Sequence, residues 1–378
     1  MKLTLEALQA ADGDCLLLHH SKDSAMTRVL VDGGSRGIYS KVLRKRLDEL
    51  RGNDRLDLRM LMVSHIDGDH ITGLVDMFRE MKHEDDETGE PFCRIRTLWF
   101  NSFEQLTGGK TAAVQSAAVG AALTGVVPAG LEPWTKAVVA TVQQGHDLRN
   151  YATQLGIPLN QGAGGTLVKA PKTGLKRVKI ADGLTFVVLG PNEEQLDALD
   201  ADWQKAKLKP TPSAQAADFL NRTVPNLSSI VVLVEAERGG GKKPISMLLT
   251  GDAGADHVLD SLKRSGLSAN GTFRVDLLKV MHHGSNHSVD QNFFERVVAD
   301  HYVISGNGKH GIPHRDTLTW LSAARSGKPY DVYLTNRKGS EGLTAMLTAF
   351  LKKEKQNEPK HKYHFRDDDA LSIAVDFQ

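Results

Sequence analysis

Leu61-Met-Val-Ser-His-Ile-Asp-Gly-Asp-His-Ile-Thr-Gly73 constrains the fold of this chain more than any other stretch. Arg59 to Val63 reads as a short apolar strand; a polar turn follows, and a helix opens after it. His65, Asp67, Asp69 and His70 lie close together there, and Gly68 lets the backbone fold tightly among them. Two imidazoles and two or more carboxylate oxygens at that spacing cannot all point outward. They converge on one volume, where repulsion between the carboxylates is relieved by a bound divalent cation. In a polar linker the same residues would make a solvated acidic turn. Here they close an apolar strand, which favours the metal-binding reading.

The chain has 378 residues, 40% hydrophobic and 25% charged, so a well-filled core is expected and global disorder is not. One large α/β domain or two ordinary ones fit that length. A formal net charge of +1 argues neither for nor against nucleic acid. The basic clusters Lys41 to Arg51 and Lys172 to Lys179 read as solvated faces. Cys15 and Cys93 supply neither a disulfide framework nor a thiolate metal site, and they suit a reducing compartment. The first residues alternate like a strand and lack an apolar signal core. No run approaches the ~18 apolar residues of a membrane helix. A soluble cytoplasmic protein, without membrane contact, is the expectation.

Along the chain, Leu3 to Leu8 and Asp14 to His20 read as strands joined at Ala11-Asp12-Gly13. Arg28 to Asp32 is a third strand, and Ile38 to Arg51 an amphipathic helix. Helix is expected for Ile71 to Met81, then a polar loop from Lys82 to Pro91 and a strand from Arg94 to Phe100. Asn101-Ser-Phe103 would follow on the rim that carries His65, lining the pocket. Leu106 to about Gly165 is rich in alanine, glycine and glutamine, with helix-like runs at Thr111 to Leu123 and Pro133 to Leu155; it reads as a helical insertion or lid. Asp182-Gly183 is a hairpin signal, followed by a helix from Glu193 to about Leu208 and a linker from Lys209 to Ala217. Apolar strands are expected at Asn226 to Glu235, Ile245 to Asp252, Asp276 to Met281, His301 to Ser305, Asp331 to Thr335 and Ala370 to Phe377. Gly109-Lys110-Thr111 and Gly239-Gly-Gly-Lys242 lack the spacing and the preceding strand of a phosphate-binding loop.

His65-x-Asp67-x-Asp69-His70 resembles the metal motif of the metallo-β-lactamase fold, whose usual form has a third histidine where Asp67 stands. The aspartate variant resembles the C-terminal hydrolase domain of ComEC-type DNA-uptake proteins and their soluble relatives. The resemblance implies an αββα four-layer sandwich formed by residues 1–378 as one hydrolase domain, with 106–165 inserted in it. It implies that Gly13-Asp14 is the family's first Gly-Asp turn and that Asp32 braces the metal loop, though Asp32 reads equally as a helix cap. Asp252 would bridge two metals. Of His282 and His283, one would ligate and the other face substrate or stand behind a ligand; either assignment remains open, and His287 is a weaker candidate. Asn226 stands where the family has a histidine, which predicts a weaker or differently filled site. In the glycine-rich loop after His301 to Ser305, His314 would touch a phosphate or leaving group, with His310 in reserve.

Such a set supplies six or seven N/O ligands, enough for two divalent ions about 3.5–4 Å apart that lower the pKa of a bridging water. Asp69 would orient that water. Asp67 and Asn226 enrich the site in hard oxygen ligands, which widens the choice from zinc to manganese or magnesium. Phosphodiester hydrolysis by a nuclease is therefore the leading expectation. A small-molecule hydrolase acting on a cyclic nucleotide, phosphoester or acyl compound is the alternative, and a non-catalytic metal-binding subunit working through a protein partner is a third. A homo-oligomer fits any of them.

Overall fold

The computed structural model describes residues 1–106, 133–164, 166–207, 227–268, 270–340, 342–356 and 360–378, without the side chains of 103–104, 133–142 and 202–207. The expected run Thr111 to Leu123, the Gly109-Lys110-Thr111 fragment, the linker from Lys209 to Ala217 and Asn226 lie outside the described residues.

The N-terminal half contributes β1 (Lys2–Leu8), β2 (Leu16–Lys22), β3 (Ala25–Val31), β4 (Leu56–Leu58), β5 (Met60–Met62), β6 (Cys93–Ile95) and β7 (Leu98–Trp99). Later come β8 (Lys176–Ala181), β9 (Leu184–Gly190), β10 (Val231–Ala236), β11 (Ile245–Leu249), β12 (Phe273–Lys279), β13 (Val297–Ile304), β14 (Asp331–Leu334), β15 (Lys362–Phe365) and β16 (Ser372–Phe377). Among the described residues they form a six-stranded sheet, β16-β1-β2-β3-β5-β7, and an eight-stranded one, β15-β14-β13-β12-β11-β10-β9-β8, beside a small β4-β6 pair. The last strand of the chain returns to the first sheet, pairing antiparallel with β1 from Leu3↔Phe377 to Leu8↔Ser372.

Alternation along the strands sorts side chains into three apolar layers. Leu3, Leu5, Leu18, Met60 and Met62 meet Phe186, Val232, Val234, Met247 and Leu277 between the sheets. On its other face the first sheet turns Leu17, Leu30 and Leu61 to α1 (Arg44–Arg51), α2 (Gly68–Thr88), α3 (Pro133–Gln154) and α4 (Glu193–Lys207). The second sheet turns Leu233, Leu248, Leu278 and Tyr302 to α5 (Ala255–Arg264), α6 (Gln291–Arg296), α7 (Arg315–Ala324) and α8 (Leu343–Lys355). Helices, sheet, sheet, helices: this is the αββα sandwich expected from the motif order. No helix among the described residues is long and apolar enough to cross a membrane.

Three elements differ from expectation. The predicted loop at Lys82 to Pro91 is mostly helix, because α2 runs on to Thr88 and ends on left-handed Gly89. Its polar residues pair along the helix, as Lys82 does with Asp86, so polarity there marks an exposed face and not a break. The single strand expected from Arg94 to Phe100 is two, β6 pairing with β4 and β7 with β5. The charged stretch before β16 contains β15, which pairs parallel with β14.

Candidate metal centre

Buried β5 delivers Ser64 and His65 to the edge of the sheet, and α2 starts three residues later. Asp67 is the N-cap of α2 and Asp69 stands in its first turn, where the unpaired amides of a helix start favour negative charge. The loop is held from two sides by glycines. A Cβ on Gly13 would collide with the Asp69 carbonyl, and one on Gly73 with the Gly33 carbonyl. Only bare backbone lets the β1–β2 turn and the β3 end press so closely on it.

Behind the loop, Asp32 accepts from Ser64 N at 2.7 Å and from Ser64 Oγ at 2.7 Å, and its Oδ2 lies 2.8 Å from His70 Nδ1. Ser64 Oγ also meets His65 Nδ1 at 3.0 Å. The brace role expected of Asp32 is what the geometry displays; no helix cap is made by its side chain. From the second sheet, Asp252 follows β11 through a turn at Gly251 (φ 51°), and its amide donates a hydrogen bond to Ser229 Oγ at 3.1 Å. Just past β12, His282 (φ 46°, ψ 45°) and His283 (φ 53°, ψ 18°) are consecutive left-handed residues. Such strain costs about 1–3 kcal/mol per residue and concentrates at functional sites. Here it turns neighbouring side chains, which would diverge on a strand, towards the same place.

That place is the Asp252 carboxylate. Its Oδ2 lies 3.8 Å from His65 Nε2, 3.5 Å from His70 Nε2, 3.7 Å from His282 Nε2 and 3.6 Å from His283 Nε2. The Nδ1 of each ring is tied elsewhere: His65 to Ser64, His70 to Asp32, His282 to Ser288 Oγ at 2.8 Å and His283 to Ser305 Oγ at 3.1 Å. An outward bond on Nδ1 fixes the tautomer and leaves Nε2 as the free ligand atom. Asp69 Oδ2 is 3.4 Å from His283 Nε2 and 3.9 Å from His70 Nε2, while Asp67 Oδ2 is 3.7 Å from His65 Nε2. The seven expected ligands are thus brought together.

His65 Nε2 and Asp252 Oδ1 are buried with no hydrogen-bond partner. Orphaned buried polar atoms are costly, and His65 Nε2 is the atom that lies 3.8 Å from Asp252 Oδ2. A divalent ion satisfies them, so the donor set fits a metal. The electrostatics agree. Burial disfavours charge on Asp252, yet the surrounding histidines outweigh it and hold the carboxyl well below its usual range. Burial likewise opposes charge on His283, but Asp252 and Asp14 lift it to about 10. Against burial, Asp252 and Asp69 raise His70 in the same way, whereas burial depresses His282.

Asp14, His70, Asp252 and His283 bring ligand atoms within 4.8 Å of one another. Asp14 does so from behind His283: its Oδ1 is 3.4 Å from His283 Nδ1, Ser305 donates to it, and its Oδ2 is 2.8 Å from Lys279 Nζ. With its oxygens engaged there, Asp14 is a brace for His283, as Asp32 is for His70. The sequence marked the Gly13-Asp14 turn without this role. The signal that could have found its partner is Lys279, a lysine inside the apolar run Leu277 to Met281. Ser64, Ser288 and Ser305 carry no such signal, since serine after a strand is commonplace.

The centre opens into a cleft of about 750 Å³. His310 and His314 line it together with Arg36, Lys309 and His287, and among its lining residues only Ala11 and Ile312 are apolar. His314 Nδ1 accepts from the Asn286 amide at 3.1 Å, so a neutral ring carries its proton on Nε2. Burial first, then neighbouring His287, depresses its pKa. Left-handed His310 sits on the exposed lip. Asn101, expected on the rim, turns away instead: its amide donates to Val168 O and accepts from Val168 N, each at 2.8 Å, which pins the chain after α3. On the other side α3 reaches the loop, with Gln144 donating to Thr72 Oγ1 at 2.9 Å.

No family model matches the chain. Over 120 residues, 31% of its length, it is 37% identical to microtubule-associated protein 1A of Rattus norvegicus. Over 119 residues it is 34% identical to the Mus musculus protein of that name. The chain spans only 4% of the length of these relatives. Among solved structures it is similar to MEM-A1, a subclass B3 metallo-β-lactamase from a soil metagenome library, at 13% identity and a TM-score of 0.30 over 93% of this chain and 94% of that one. It is also similar to AidC, a dizinc quorum-quenching lactonase, at 13% identity and a TM-score of 0.29 over 68% of this chain and 69% of that one.

Proposed function

We propose that the chain is a metal-dependent hydrolase acting on phosphodiesters, with nucleic acid as its substrate class. The observation that carries this reading is the convergence of four imidazole Nε2 atoms on one Asp252 oxygen, at 3.5–3.8 Å. His65, Asp67, Asp69, His70, Asp252, His282 and His283 would hold two divalent ions, zinc or manganese, with magnesium a third candidate. Ions held there supply Lewis acidity and a water nucleophile near neutral pH. The rest falls to the protein. Asp69, whose side chain at 30% is the most exposed of the seven, would orient the attacking water by accepting a hydrogen bond from it. His314 offers its Nε2–H to an oxygen of the scissile group. Arg36, at the cleft mouth, offers charge-assisted hydrogen bonds to a phosphate.

Three carboxylates in the ligand set favour hard, oxygen-loving ions, which suit phosphate oxygens. The charged and hydrogen-bonding residues that line the cleft, Arg36, Lys309 and His314 among them, give a phosphate diester partners. The likeness of the His65–His70 motif to ComEC-type hydrolases supports the same substrate. On this reading the whole chain is one domain with 106–165 inserted in it, helix α3 reaches the metal loop through Gln144, and the buried thiols Cys15 and Cys93 suit the cytoplasm. A second reading, a small nucleotide-like diester, is favoured by the cleft volume, which lies within the usual range for small ligands.

The test is a cleavage assay on linear, circular and single-stranded DNA, RNA and bis-p-nitrophenyl phosphate with Mn, Mg and Zn in turn. Polymer cleavage that Asp69→Ala lowers at least 10²-fold is expected. Cleavage of the small diester alone selects the second reading. Failure with every metal, on protein carrying stoichiometric ion, would leave a binding subunit that acts through a partner.

A further inference from the structure

A second opening lies against the β4–β6 pair and shares none of its described lining residues with the cleft at the metal centre. It measures about 430 Å³, and the charged residues that line it are all arginines: Arg55, Arg94 and Arg96. We propose that this groove is a nucleotide site, in which Arg94 and its neighbours hold the phosphate and the apolar wall opposite carries the base. The inference stands on the groove alone and needs no ion at the metal centre.

The sequence builds the basic wall by alternation. In Cys93-Arg-Ile-Arg96 the apolar residues Cys93 and Ile95 are buried, which puts Arg94 and Arg96 on the outer side of the strand. β4 lies alongside in parallel, with Asp57 in register with Arg94. Asp57 is nevertheless committed to Arg96, which donates to it from Nε at 2.8 Å and from Nη2 at 3.1 Å. Arg55 donates from Nη1 to Glu90 at 3.3 Å. Both acids stand outside the groove wall and are more exposed than the arginines they hold. They fix two guanidinium groups while using only part of the five donors on each. Arg94 is exposed and makes no hydrogen bond or ion pair among the described residues. A free planar fork between two oriented ones, with no acid on the wall, fits the oxygens of a phosphate.

The facing wall is the turn after α3. Gly156 is left-handed (φ 62°), and Ile157 N donates to Ala152 O at 2.8 Å, so the helix end closes on itself. A Cβ on Gly156 would meet nothing within 4 Å, which marks open space beside the turn. Leu155, Ile157 and Pro158 line this side without a charge. Phosphate alone would leave most of the groove unfilled, whereas its volume lies in the usual range for small-ligand sites. A flat base on Leu155 and Pro158, with its phosphate on Arg94, uses both walls.

The experiment is isothermal titration calorimetry on the full chain, stripped and kept in chelator so that neither cleavage nor metal-held phosphate contributes. At least one of AMP, CMP, GMP and UMP should bind more tightly than inorganic phosphate and than its own nucleoside. Arg94→Ala removes an exposed side chain and should weaken that nucleotide about tenfold or more. Arg94→Lys should restore only part of the loss. Arg36→Ala, in the other cleft, should leave the affinity as it was. A short thymidine oligonucleotide separates the two sources of a nucleotide. Affinity well above that of the mononucleotide, lost in Arg94→Ala, identifies a strand as the occupant; affinity no higher identifies a free nucleotide. The proposal is overturned by no binding of any of these ligands, by equal affinities of wild type and Arg94→Ala, or by a loss that follows Arg36 instead. Displacement of the nucleotide by a glutamate peptide at equal concentration would overturn it too, making the groove a carboxylate site. None of these outcomes involves turnover, so a chain that cleaves nothing would leave the groove's assignment standing.

Discussion

Lys279 sits beneath His283 with its ammonium on Asp14 and on the Val280 carbonyl at 3.1 Å, fully enclosed. Removing one partner of such a pair strands the other charge, a loss of about 3–5 kcal/mol; replacing both by apolar groups of similar size is far milder. Lys279→Met should therefore lower the urea midpoint sharply, and adding Asp14→Leu should restore much of it. A double variant no better than the single would show that the two charges do not depend on each other. The same residues explain what reading a sequence misses. Asp67, Asp69 and His70 declare themselves because histidine and aspartate crowd a short turn. Asp14, just before β2, and Ser305, just past β13, meet His283 from places remote in sequence, so nothing local pairs them with it.

At the scale of elements, β3, β5 and the start of α2 are joined through backbone as well as through the Asp32 side chain. Gly33 N donates to His70 O at 2.7 Å and Gly73 N to Gly34 O at 3.1 Å. Gly73→Ala would push a methyl into the Gly33 carbonyl, so a loss of about 3 kcal/mol by thermal or urea denaturation is expected, with weaker metal retention because His70 rides on the same turn. A neutral Gly73→Ala would mean that α2 can slide without disturbing β3. Elements with a strong apolar pattern were legible here: β1, β11, β14 and α4 fall where the sequence puts them. The end of α2 was not, since Lys82 to Thr88 pairs charges along an exposed face and polarity alone reads as loop. Short β15 was hidden because its half-buried residues, Lys362 to Phe365, do not alternate sharply. The metal loop was legible for the opposite reason: its chemistry is local, though its partners Asp252 and His283 had to be matched by order and not by contact.

Across the whole molecule, Glu6 ties both chain ends to the first helical layer. It receives Arg46 Nε from α1 at 2.7 Å, faces His19 Nε2 of β2 at 2.9 Å and accepts from Ser372 of β16. Burial works against its charge, but His19, Ser372 and Arg46 prevail and lower its pKa from 4.5 to about 2. A carboxyl depressed on folding stabilises fully above its unfolded pKa and loses that contribution as pH falls through the folded one. Glu6 thus contributes roughly 3 kcal/mol above pH 4.5, lost between there and about pH 2. Glu6→Gln should flatten the acid limb of a stability-against-pH curve in that window and leave its alkaline side alone. An unchanged acid limb would place the sensitivity elsewhere. The centre itself joins the same two sheets: His65 follows β5 and His70 stands in the first turn of α2, while Asp252, His282 and His283 follow β11 and β12. Neither sheet alone holds a complete pocket, so an ion held there would be a latch that closes only after the sheets have met. In refolding from urea, strand formation seen by far-ultraviolet circular dichroism should precede capture of a fluorescent-indicator-reported ion, and adding metal should slow unfolding more than it speeds folding.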